Sequence, residues 1–119
     1  MQPGDLLLCD KGLFKHVGVV VINGILHNTP EKGEHISTLF DFCRGRPYRL
    51  IEVPIGLRQL IVANASWIAA YPRRFDAISN NCEHTATRAL GRKPHSPTVA
   101  ALFTVAIGAA LVYLMLRGR

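Results

Sequence analysis

The chain has 119 residues, which is room for one domain and little else. Its net charge of +6 favours anionic partners, but the Lys and Arg residues are dispersed and form no aromatic-interleaved basic face, so nucleic acid is not an expected partner. Cys9, Cys43 and Cys82 show no paired spacing, which argues against a disulfide framework and for a reducing compartment.

The first half of the chain reads as strands. The opening "MQPGDLLLCDKG" lacks the positive start and long apolar run of a secretory signal, and "DLLLCD" is a short apolar strand after a turn. "FKHVGVVVI" is β-branched, and Asn23-Gly24 predicts a tight hairpin into "ILH". Residues 28 to 47 are rich in turn formers and read as a loop with room for one strand. "YRLIEV" alternates and stops at Pro54.

The second half turns helical. Between Pro54 and Pro72, Leu57, Leu60, Ile61, Ile68 and Tyr71 fall on one stripe and predict an amphipathic helix. The next helix is expected to start at Asn80 as N-cap, with Glu83 three residues later as capping-box partner and Gly91 at its end. Strands followed by helices, without βαβ alternation, predict an α+β fold with a small antiparallel sheet packed on helices.

The C-terminal run "TVAALFTVAIGAALVYLML", 98 to 116, has 19 residues without a charge. At about 1.5 Å per residue it matches the hydrocarbon core of a bilayer. It is therefore read as a single transmembrane helix, a tail anchor with the preceding domain facing the cytoplasm. Ala100, Thr104 and Gly108 recur every fourth position, a spacing that suits weak helix-mediated self-association. The expected division is residues 1–95 as a catalytic domain and 98–116 as the anchor.

Cys82 would lie in the first turn of the helix begun by Asn80, where unsatisfied N–H groups and the macrodipole stabilise a thiolate. Such a cysteine is either a nucleophile or a small buried hydrophobe, and position alone leaves both open. His16 and His27 lie on the two strands of the hairpin and share one face. A two-residue Asn23-Gly24 loop sets His27 opposite Val20, four positions from His16, or roughly 13 Å. Only a bulge or a shifted turn would bring the imidazoles into contact. Cys82, His84, His16 and His27 could all ligate zinc, but no CxxC or HxxxH spacing is present, so neither a metal nor another cofactor is expected. The sequon "NAS" at 64 to 66 falls within the predicted helix and is discounted.

"PGDLL" at 3 to 7, "KHVGVVV" at 15 to 21, "ILHNTP" at 25 to 30 and "NNCEHTATRALG" at 80 to 91 together resemble the lecithin:retinol acyltransferase-like family, which includes the H-Ras-like suppressor phospholipases. These are permuted papain-like, NlpC-type cysteine hydrolases. The resemblance spans roughly residues 3 to 91. It implies Cys82 as nucleophile, His16 as general base and His27 as the residue that orients it. It also implies a phospholipid substrate, cleaved at an acyl ester through a cysteine thioester that ends on water, an amine or an alcohol. Thr85 and Val17 stand where the family usually has aromatics, and both are expected near the substrate pocket. His84 points about 200° around the helix from the expected site and is not the expected base. The rival expectations are an NlpC-like peptidase or amidase and a catalytically idle membrane adaptor.

Overall fold

The computed structural model describes residues 1–11 and 14–117, with side chains at 11, 14, 102–107 and 109 outside that description. Its centre is a five-stranded antiparallel sheet in the order β4-β3-β2-β1-β5. The strands are β1 (Leu6–Lys11), β2 (Phe14–Val21), β3 (Gly24–Thr29), β4 (Gly33–Ser37) and β5 (Tyr48–Ile51). The helices are α1 (Leu39–Cys43), α2 (Ile55–Ala70), α3 (Cys82–Ala89) and α4 (Pro97–Arg117).

Period-two alternation in β2 decides the layers. Val19 and Val21, with Leu26 of β3, pack against Ile61, Ala65 and Ile68 of α2 and Ala89 of α3. On the other face Val20 and Ile25 pack with Leu7, Cys9, Phe42 and Cys43, so the short helix α1 closes that side. Thr38 caps α1 by accepting from the Asp41 N–H at 3.1 Å. Asp5 anchors the N-terminal loop through an ion pair with Arg58 of α2 at 2.6 Å. Burial pushes its carboxyl up, but the Gln2 N–H and the Arg58 guanidinium outweigh that and hold it below the usual carboxylate range.

Several expectations need correction. The buried stripe of α2 is Ile61, Ala65 and Ile68, at helical spacing, whereas Leu57 and Leu60 are about half exposed and Tyr71 is 62% exposed. The region read mainly as loop holds both β4 and α1. The hairpin turn is Ile22-Asn23, one residue earlier than predicted, and Gly24 pairs with Val21. Neither Ile22 nor Asn23 has a positive φ, so this is not the primed turn that Asn-Gly favours. Gly24 takes φ 148 instead, with its α-carbon so close to the Ser37 carbonyl of β4 that no side chain fits.

The largest correction concerns the C-terminus. The α+β antiparallel arrangement is present, but among the described residues no helix is long and apolar enough to cross a membrane. Residues 97–117 do form a helix. The transmembrane helix over 98–116 and the tail-anchored, cytoplasm-facing localisation are therefore set aside. Thr104, the middle residue of the small-residue stripe, lies outside the described side chains.

Candidate active site

The shifted turn brings the two histidines together. The β2–β3 ladder runs from Val21↔Gly24 to Val19↔Leu26. Continuing that register sets His27 across from Gly18, which makes it the diagonal neighbour of His16 on the same face. His16 Nε2 lies 2.8 Å from His27 Nδ1, and His27 Nε2 lies 2.7 Å from Ser37 Oγ. Phe42 covers the pair, stacked on His16 at 4.9 Å between centroids and edge-on to His27 at 5.2 Å. Gly18 makes room for that cover. A Cβ there would lie 2.6 Å from Ile25 Cγ2 and 2.8 Å from Phe42 Cε2.

Hydrogen-bond direction fixes the tautomers. Ser37 donates its hydroxyl proton to the Thr38 carbonyl, so its oxygen accepts from His27 Nε2–H. His27 Nδ1 then accepts from His16 Nε2–H. His16 thus meets His27 through Nε2, and Nδ1 is its ring nitrogen turned away from His27. Both imidazoles are buried, at 6% and 3% exposure, so the pair is held away from bulk water.

Cys82 is the first residue of α3. The cap is Asn81 rather than Asn80, and its box partner is His84 rather than Glu83. The Asn81 side chain accepts from the N–H groups of Glu83 and His84, while the Asn81 N–H donates to His84 Nδ1 at 3.1 Å. Asn80 is committed elsewhere. Its backbone bridges Asp76, and its carbonyl accepts from Asn28 Nδ2 at 2.8 Å. Glu83 turns toward the next helix and accepts from Ser96 Oγ and the Thr98 N–H. Burial, followed by the nearby His95, lowers the His84 pKa below the usual imidazole value, with Glu83 and Asp76 opposing. A neutral ring suits the acceptor role of its Nδ1.

Cys82 and His16 line the same cleft, of about 510 Å³, which is also walled by Asn28, Phe75, Ala77 and Val99. A second cavity of about 490 Å³ opens beside His27, His35 and Ser37 and contains Cys43. Burial, together with neighbouring Cys9, pushes the Cys43 thiol up to about 11, so it stays protonated near neutrality and the cavity lacks a ready nucleophile. Cys9, Cys43 and Cys82 form no disulfide. Among the described residues no three His, Cys, Asp or Glu side chains are placed to hold a metal ion.

Sequence reasoning missed Ser37, which lay in the supposed loop. It also missed the buried network behind α3. Glu34 of β4 accepts from Thr85 Oγ1 and Arg88 Nη1, both at 2.6 Å, and Thr85 accepts from Asn28 Nδ2 at 3.1 Å. Thr85 is therefore a tie between helix and sheet, not a wall of the cleft, and Val17 is likewise buried outside the cleft. No family model matches the chain, and no curated protein matches it significantly.

Proposed function

We propose that the chain is a cysteine-dependent acyl hydrolase or acyltransferase that cleaves a phospholipid acyl ester through a thioester on Cys82. One observation carries the reading: Cys82, at the start of α3, opens on the same cleft as His16, with His27 and Ser37 aligned behind it. His16 Nδ1 takes the thiol proton as Sγ adds to the ester carbonyl carbon. That proton passes to the departing alkoxide as the C–O bond breaks, leaving the acyl group on sulfur. Water, an amine or an alcohol then attacks the thioester, giving its proton to His16, and the thiolate departs. His27 keeps His16 in the correct tautomer throughout. Phe75, Ala77 and Val99 give the cleft an apolar lining suited to an acyl chain, and the family resemblance favours a lipid ester over a peptide bond.

Intact-mass measurement after brief exposure to a defined phospholipid tests this. An acyl adduct on the wild type that is absent from Cys82→Ser is expected. Turnover of peptides or amides without any lipid adduct would move the protein to the peptidase reading. A Cys82 inert to both substrates and to iodoacetamide would favour a binding role.

A further inference from the structure

Glu83 was expected to cap its own helix, but it clamps the next one. Glu83 Oε1 accepts from Ser96 Oγ at 2.6 Å and from the Thr98 N–H at 3.1 Å. The same Ser96 oxygen accepts from Asn81 Nδ2 at 3.0 Å and from the Val99 N–H at 3.2 Å. Ser96 is 3% exposed, so its hydroxyl is spent on this junction. Just before it, the His95 N–H donates to Thr87 Oγ1 at 3.0 Å. The carboxylate makes the Ser96 and Thr98 bonds charge-assisted, the stronger class of hydrogen bond. The residues being clamped are those on either side of the nucleophile, Asn81 and Glu83. The segment they hold places Thr98 and Val99 in the wall of the Cys82 cleft.

We propose that the first turn of α4 is the specificity-determining wall of this cleft: Val99 and Thr98 bound the space open to the acyl chain, and the Glu83–Ser96 clamp sets its width. The proposal rests on the thiol-acyl reading above. It makes α4 part of the site, so residues 1–95 are not a self-sufficient catalytic unit.

The test uses the full chain and compares acetyl with octanoyl nitrophenyl esters. Val99→Trp should lower kcat/KM for the octanoyl ester by roughly tenfold or more and leave the acetyl ester within about twofold. Val99→Ala should shift the preference toward the longer chain, and Ser96→Ala should flatten the difference between the two. Circular dichroism checks that each variant is folded, and Val99→Ala serves if the bulky variant is not. An octanoyl-to-acetyl ratio that is the same in wild type and the folded variants overturns the proposal, while Cys82-dependent turnover upholds the reading beneath it. If the wild type turns over neither ester, the acyl reading fails. The wall is then read by alkylation of Cys82 with iodoacetamide and with its bulkier N-benzyl analogue, located by peptide mass mapping. Val99→Trp should slow the bulky reagent selectively. Equal slowing of both reagents, or no slowing, overturns the proposal.

Discussion

The two faces of the sheet are built from alternate residues of the same strands, yet they hold different chemistry. Val19, Val21 and Leu26 pack with apolar side chains of α2 and α3. One residue out of phase, His16 and His27 are buried beneath Phe42. On the first face each fully buried aliphatic side chain contributes about 1.5 to 3 kcal/mol. On the second, buried imidazoles would cost stability were their nitrogens not hydrogen-bonded to one another and to Ser37. Both faces contribute apolar core, and the second also holds the hydrogen-bonded imidazole pair.

The largest effects should come from the histidine-bearing face and from Cys82, the nucleophile of the proposed reaction. Cys82→Ser should reduce ester turnover to background, because a base arranged for a thiol activates a hydroxyl poorly. His16→Ala should cost about 10² to 10⁴ in kcat, as expected for loss of a general base. His84→Ala should leave far more activity, and equal losses would break the assignment of the base.

The same face sharpens the contrast through a double variant, His16→Leu with His27→Leu. Replacing both partners of a buried hydrogen bond by apolar groups is close to neutral for stability. Its urea midpoint should stay near wild type while activity disappears. On the opposite face Leu26→Ala should cost roughly 2 to 5 kcal/mol and leave the rate per folded molecule unchanged. A Leu26 variant that lost rate without losing stability would erase the distinction. Arg88→Met leaves the Glu34 carboxylate buried without its ion-pair partner, a loss of roughly 3 to 5 kcal/mol measurable by denaturant titration.

Smaller effects probe the margins. Ser37→Ala removes one hydrogen bond worth about 0.5 to 1.5 kcal/mol, so kcat should fall by a few-fold, with Ser37→Thr restoring it. Because burial lowers the His84 pKa, its contribution is fully present above the ordinary value of 6.5 and is lost as pH falls through the lowered value. The urea midpoint should therefore drop as pH falls below about 6.5, and His84→Asn should flatten that part of the profile.

Much of this was legible in the sequence because it is local. Val19 and Val21 announced a strand with one apolar face, and Cys82 followed two residues that both make good caps. What separated Asn80 from Asn81 was remote: Asn80 is held by Asn28, 52 positions away. The histidine pair was legible by residue type and face but not by register. Moving the hairpin turn by one residue shifted the pairing by two and turned roughly 13 Å into a hydrogen bond. Ser37 and Glu34 carried no sequence signal, since their roles exist only once β4 lies beside β3 and beneath α3. The C-terminal run misled because an uncharged stretch has the same composition whether it spans a bilayer or, as here at its start, docks on another helix.

The buried acid on β4 also bears on how the protein reaches its native form. Glu34 bonds to Thr85 and Arg88 across 51 and 54 positions, whereas the hairpin that carries the histidines closes within a dozen residues. Closing the longer loops costs more chain entropy, and their contacts reward it only when both ends have arrived. In refolding, the imidazole pair should form early and α3 dock late. Under the proposed thiol-acyl reading, recovery of activity would then lag the recovery of sheet signal, because Cys82 reaches the cleft of His16 only when α3 docks.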